Sequence, residues 1–329
     1  MSIGFSGRRL ETMTSRLSRV YASLPLSGPQ GALGRDVLRG AELALERADG
    51  AAPGLVALDS FGAVREAEAL ANARRAAADG QALAYLGNFH SSQVMETAPL
   101  LGEAGLLQVA PAATYIELSG PTLVRLMPHD GVGARAIAAW LVDAGVRDLL
   151  VVHDHDQQYG VPVGEMCAQA ARERGLAVRS RPVWDRGEPR DADLDGAEAV
   201  LYVGVAGSGA VALWHDLHAA KPGLWLLGTE GVAVPWLARE LSPSAAARTR
   251  LFVAQRAPFA FYGFEAMALI LDAVASAGAD RAAIARAARA ARDRDSILGR
   301  YSIDEHGHTT STAYGRLAVA GGELVWDRS

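Results

Sequence analysis

Cysteine is almost missing from this chain: Cys167 is the only one in 329 residues. That excludes an intrachain disulfide and any cysteine-built metal cage. Cys167 falls inside a helix-length segment, which predicts a buried apolar role rather than a reactive one. Lysine is scarce too, so arginine supplies almost all of the 32 basic residues, against 37 acidic ones and a net charge of −5. Such a balance carries no electrostatic footprint for nucleic acid. No apolar run approaches the ~20 residues that span a bilayer. The opening stretch, MSIGFSGRRLETMTSRLSRVYASLPLSG, has an arginine pair but lacks the apolar segment of ~7–15 residues that follows in a signal peptide. A start downstream of a leader and retention inside the cell both fit.

Assembled chemistry is also missing. There is no G-x-S-x-G elbow and no G-x-x-x-x-G-K-[ST] loop. VGVAGSGA (203–210) follows a strand-like run, but its glycines are ordered G-x-x-G-x-G, not as in a dinucleotide fingerprint. His153, Asp154, His155 and Asp156 are metal-ligand types, yet alternation along an extended chain lets at most half of them converge. A solvated or hydrogen-bonded loop is expected there. No nucleophile–base pair can be named, so neither an enzyme nor a metal or cofactor is expected. No tandem repeat of ~20–50 residues is visible, so a solenoid or propeller is not expected.

What is present is a core-forming chain, 50% apolar and 21% charged. Short apolar runs at 19–24, 55–59, 82–86, 106–110, 149–153, 177–183, 199–203, 224–228 and 251–255 read as strands. Helix-length amphipathic segments lie between them at 34–48, 64–79, 93–104, 133–144, 161–174, 210–220 and 264–276. This alternation predicts an α/β fold with parallel sheets covered by helices on both faces. Polar breaks at 184–196 and 302–312 read as loops, and short strand-like runs at 313–319 and 323–326 close the chain.

In such sheets ligands gather beyond the carboxyl ends of strands, where helix N-termini point N–H groups outward. Four strand ends carry unusual residues. In YLGNFHSS, Ser91 and Ser92 fall at a helix start, fit either for an anion or for a plain cap. In VAPAATYIEL, Ala112, Ala113 and Thr114 are small residues at the next strand end, which let a ligand approach the backbone or simply cap. Tyr159, in HDHDQQYGVPVG, lies between a strand and a helix. Glu230, in WLLGTEGV, follows a buried-type strand and is expected at a sheet edge, paired with a ligand cation or with nearby backbone.

Taken in order, LPLSGPQGALGRDVLRGAELALE, YLGNFHSS, VAPAATYIELS, VVHDHDQQYGVPVGE, LLGTEGV and FYGFEAMALILDAV resemble the type I periplasmic binding proteins of the leucine/isoleucine/valine-binding class. The resemblance runs from about residue 19 to 326. It implies two doubly wound parallel-sheet lobes joined by three crossovers, near 126–130, 253–258 and 298–306. Lobe one would hold 1–127 and 258–298; lobe two would hold 128–257 and 299–329.

The function implied is the solute-binding receptor of a branched-chain-type amino-acid ABC importer, trapping its ligand by hinge closure. Ser91 and the Thr114 N–H would bond the ligand carboxylate. The Ala112 carbonyl and the Thr114 hydroxyl would accept from its ammonium, and Glu230 and Tyr159 would close from the second lobe. Phe89, His90 and Phe261 would line the side-chain end. Leu33 and the Ala206/Gly207 position replace family aromatics, which leaves a branched-chain side chain open as the ligand.

The implied partners are an amino acid or related carboxylate and an importer permease, with no nucleic acid and a monomeric state. The implied location is periplasmic or at the extracellular face. An intracellular sensor on the same fold, or a receptor for an aromatic or other carboxylic acid, stands as the alternative.

Overall fold

The computed structural model describes residues 18–48, 52–61, 66–156, 159–183, 194–205, 209–255 and 257–327. Within these, the chain divides into two units: Met1–Pro128 with Ala257–Ser311, and His129–Arg256 with Thr312–Ser329.

The first unit is built on five parallel strands, β1 (Arg19–Leu24), β2 (Gly54–Asp59), β3 (Ala82–Gly87), β4 (Leu107–Ala110) and β5 (Leu123–Arg125). Their order is β2-β1-β3-β4-β5, so the winding reverses between β1 and β3. Strands β1, β3 and β4 are buried almost throughout, as continuous apolar runs in a covered parallel sheet should be. Helices Gly31–Glu46 and Phe259–Ala277 cross in near backbone contact. A Cβ on Gly40 would lie 1.8 Å from the Ala260 carbonyl oxygen, and one on Gly263 would lie 1.9 Å from that of Val37. Asp36 accepts from Ala260 N (2.9 Å), capping the long helix from its neighbour.

By length and composition Phe259–Ala277 is apolar enough to cross a membrane. It instead packs within this unit, and its mid-helix Glu265, 2% exposed, accepts from Tyr301 Oη (2.6 Å) and Arg294 Nε (2.5 Å). Helix Arg281–Arg289 opens on an Asp280 cap (Ala283 N to Oδ1, 2.7 Å). Its alanine-rich sequence is missing from the sequence-based list of elements.

The second unit carries β6 (Asp148–His153), β7 (Ala177–Pro182), β8 (Ala199–Val203), β9 (Trp225–Gly228), β10 (Thr249–Val253), β11 (Gly315–Ala320) and β12 (Glu323–Trp326). The order is β12-β11-β10-β9-β8-β6-β7, reversing between β6 and β8. β6 to β10 are parallel, whereas β11 pairs antiparallel with β10 and β12 antiparallel with β11. The closing hairpin turns on Gly321 (φ 60°) and Gly322 (φ 78°), the two positive-φ residues that a type I′ turn requires. The doubly wound α/β expectation holds for both sheets, with that antiparallel ribbon added.

One predicted boundary is corrected. Residues 299–311 group with the first unit, not the second. The cause is hydrogen bonding: Arg125 N donates to the Gly307 carbonyl (2.8 Å) and Thr309 N to that of Arg125 (2.9 Å). Tyr301 adds the buried bond to Glu265 already noted.

Candidate functional site

In the first unit, β3 ends at Gly87, whose φ of 137° and close approach to the Ser23 carbonyl admit only glycine. The chain then runs through Asn88, Phe89 and His90 into helix Ser91–Glu103. His90, not a serine, is the cap residue, and Ser91 is the first helical one. The Ser91 hydroxyl reaches the loop after the neighbouring strand β4, accepting from Thr114 N (3.1 Å) and Tyr115 N (3.2 Å). The plain-cap alternative for Ser91 gives way to a bridge between adjacent strand ends. In VAPAATYIEL, Ala113 turns into the core beside Val94, Ala98 and Ala110. Ala112 and Thr114, on either side of it, stay partly exposed. Small residues are thus needed in both directions, for packing inward and for backbone access outward.

Below this bridge lies a buried polar lattice that is neutral throughout. Asn88 Nδ2 donates to Ser23 Oγ (3.1 Å), Thr97 Oγ1 to Asn88 Oδ1 (2.9 Å), and Gln108 Nε2 to Thr97 Oγ1 (2.9 Å) and the Gly87 carbonyl (3.0 Å). All four side chains are fully buried. These bonds tie the strand-end loops together, while Gln108 Oε1 stays buried without a partner. Phe89 is 8% exposed and packs its ring 5.1 Å from that of His90 and 5.0 Å from that of Phe259. His90 Nε2 is buried without a hydrogen-bond partner. Burial pushes the His90 imidazole down to about 4, against an opposing pull from Glu66. Phe261 and Leu33, on this unit's helices, are exposed.

In the second unit, Glu230 opens a short 3₁₀ turn, Glu230–Val232, directly after β9. β9 is an interior strand, so Glu230 stands at the carboxyl end of the sheet and not at its edge. Tyr314 Oη donates to Glu230 Oε2 (2.9 Å), a phenol taking the role foreseen for backbone. Tyr159 caps helix Gly160–Glu173, and its hydroxyl donates to Thr229 Oγ1 (2.8 Å). Gly231 keeps the turn close: a Cβ there would lie 2.2 Å from the Gly204 carbonyl and 3.1 Å from the Tyr159 ring. Burial raises both the Tyr159 and Tyr314 phenols well above the tyrosine range, and Glu230 and Asp130 push them further. Two carboxylates and two phenols therefore share one region, and the phenols stay neutral donors.

Sequence reasoning found Tyr159 and Glu230 here and missed Thr229, Tyr314 and Asp130. Tyr314 lay in a stretch read only as a strand. Asp130, 4% exposed, lay in one read only as a crossover.

The acidic and histidine run beside β6 is a loop brace. Asp154, 8% exposed, accepts from Asp156 N (3.1 Å) and Val205 N (3.2 Å). Gly160 and Gly204 leave room for its carboxylate. His153 Nδ1 lies 2.9 Å from the Asp154 carbonyl. Cys167 is 2% exposed in the core, and burial pushes its thiol well up. The Ala206/Gly207 position and most of the 184–196 loop lie outside the described residues.

Comparison with known proteins follows the same lines. Residues 22–220, more than half of the chain, match the family described as periplasmic binding protein. A Leu/Ile/Val-binding protein homolog from Brucella melitensis is 25% identical over 98% of this chain and 96% of its own length. Among solved structures, a leucine-binding protein of Thermotoga maritima superposes with a TM-score of 0.77 at 21% identity, over 94% of this chain and 97% of that one. A substrate-binding protein of Desulfitobacterium hafniense in complex with Leu gives 0.79 at 17% identity, over 94% and 99%. A solute-binding protein of R. palustris in complex with benzoate gives 0.68 at 20%, over 94% of each. At these identities the structural matches establish the fold alone.

Proposed function

The chain belongs to the periplasmic binding protein family, in its type I leucine/isoleucine/valine-binding class, and from that premise we propose that it is the solute-binding receptor of an ABC importer with a small amino acid as its ligand. The observation that carries the reading is the Ser91 bridge, in which Thr114 N and Tyr115 N both donate to Ser91 Oγ and leave its O–H to donate at adjacent strand ends. That hydroxyl donor suits a carboxylate, and the Ala112 carbonyl and Thr114 hydroxyl supply acceptors for an ammonium. Glu230, with Tyr159 beside it, supplies the negative charge that an ammonium needs. The receptor would hand its ligand to a membrane permease, and would work in the periplasm or at the outer face of the cell.

A carboxylic acid without an ammonium is disfavoured by the same residues. Glu230 and Asp130 both bear on the Tyr159–Tyr314 region, and a purely anionic ligand would meet like charge there. Calorimetric titration of the purified chain with a panel of 2-amino acids and their des-amino counterparts tests the proposal. Micromolar binding of an amino acid, worth about −8 kcal/mol, with none by its des-amino counterpart, is expected. Binding of des-amino acids but of no amino acid would overturn it.

A further inference from the structure

Most buried polar groups around the first unit's strand ends are paired, and those that are not, Ser60 Oγ, Gln108 Oε1 and His90 Nε2 among them, call for an explanation. His90 Nε2 is buried and has no partner, on the residue immediately before Ser91. Its ring is held from one side by Phe89, at 5.1 Å, and Phe89 is held in turn by Phe259, at 5.0 Å. That edge-to-face contact holds one side of the imidazole ring. We propose that His90 is a specificity-determining residue whose Nε2 hydrogen-bonds the ligand's side chain, so that the receptor takes amino acids with an uncharged hydroxyl or amide side chain in preference to branched aliphatic ones. The inference rests on the amino-acid reading above and deepens it.

Three physical points support it. An unpaired buried nitrogen carries a desolvation cost that an apolar ligand leaves in place and a hydroxyl or amide removes. A site built to hydrogen-bond its substrate rejects the isostere lacking that group far more strongly than an apolar pocket rejects an added hydroxyl. The imidazole is neutral at physiological pH because burial lowers its basicity. It therefore offers Nε2 as donor or acceptor according to tautomer, and attracts no charged side chain. The Phe89 ring covers the apolar stem of the ligand and leaves selection to His90.

Threonine and valine form the decisive isosteric pair, with glutamine and leucine as a longer one. Calorimetry on the wild-type chain should give at least tenfold tighter binding of threonine than valine, or of glutamine than leucine. His90→Phe should bring the ratio near one, and His90→Gln, which retains a hydrogen-bonding group, should keep at least part of the preference. A circular-dichroism melt of each variant shows whether it is folded. Should His90→Phe not fold, the wild-type ratios and His90→Gln decide.

Valine or leucine binding as tightly as its polar partner in the wild type would overturn this inference while leaving the amino-acid reading intact. So would a threonine-to-valine ratio unchanged in folded His90→Phe. Failure of every amino acid to bind would overturn both.

Discussion

The two units put the same architectural position, the carboxyl ends of parallel strands, to opposite electrostatic use. In the first, Ser91, Thr114 and the buried Ser23–Asn88–Thr97–Gln108 lattice are all neutral. In the second, Glu230 and Asp130 bear on a pair of tyrosines. A neutral set of donors, already paired, holds its geometry without a ligand and suits a group that docks on a rigid floor. The acidic set places two carboxylates beside neutral phenols, with Glu230 accepting from Tyr314 Oη. Neutral side chains at the strand ends of one unit and carboxylates beside phenols in the other make the division that the following experiments can sharpen or break.

The largest effect should come from the rigid side. Gly263→Ala places a methyl group 1.9 Å from the Val37 carbonyl, against backbone that cannot turn aside. Overpacking of this kind typically costs about 1–3 kcal/mol and occasionally more; about 3 kcal/mol or more is expected because two helices must separate. Gly160→Ala in the second unit meets Asp154 Oδ1 at 1.8 Å, a side-chain atom that can rotate away at the expense of its bond to Asp156 N. It should cost about half as much. Urea denaturation of both variants checks the order, and a smaller loss for Gly263→Ala would deny the first unit its rigidity.

That contrast also marks what the sequence could and could not reveal. The strands at 19–24 and 199–203 were legible to the residue, because buried apolar runs between turn signals have few other readings. β5, with three residues, and the helices Pro235–Glu240 and Pro243–Ala247 were too short to show a period. At the site, Ser91, Thr114, Tyr159 and Glu230 were legible as odd residues at strand ends. Tyr314 was not, because the pairing that brings it to Glu230 spans 84 positions and leaves no local pattern. Asn88 and Gln108 were hidden for the same reason: a lattice of neutral side chains is visible only once the strands lie side by side. Residues 299–311 were assigned across the boundary because hydrogen bonds to β5, itself unseen, decide where they belong.

The next effect in size is a pH dependence confined to the neutral side. Burial lowers the His90 imidazole from its ordinary 6.5 to about 4, with Glu66 pulling the other way. Between those values the unfolded chain binds more protons than the folded one, so stability rises with pH through this window and is complete above it. Integrated over the window this amounts to at most about 3 kcal/mol, less for a partly exposed ring. His90→Gln should flatten the stability-versus-pH curve between pH ~4 and ~6.5. An unchanged slope in that variant would mean the imidazole is not held neutral by its surroundings.

Smaller again is the effect on binding of removing charge from the acidic side. Glu230→Gln keeps the shape of the residue and its bond from Tyr314 but loses the negative charge. Amino-acid affinity should fall at least tenfold, about 1.4 kcal/mol, and the Tyr314 phenol should ionise at lower pH than in the wild type, since Glu230 is one of the groups that raise it. Calorimetry and ultraviolet titration read the two effects separately. Unchanged affinity together with a shifted phenol would place Glu230 beside Tyr314 but away from the ligand.

The smallest expected change tests whether the phenol or the carboxylate is the working group. Tyr314→Phe removes the donor to Glu230 Oε2 while keeping the ring, whose Cζ would lie 2.5 Å from a Cβ on Gly133. If the phenol only orients the carboxylate, affinity should drop about threefold, roughly 0.6 kcal/mol, because a freed carboxylate samples orientations that miss the ammonium. Gly133→Ala should reproduce that loss without deleting the hydroxyl, since the added methyl displaces the ring and draws the oxygen off Glu230. Tighter binding in Tyr314→Phe would mean that tyrosine and ligand compete for the same carboxylate oxygen. Tyr314 would then yield Glu230 to the ligand, and the acidic unit would differ from the neutral one in giving up an internal bond as it binds.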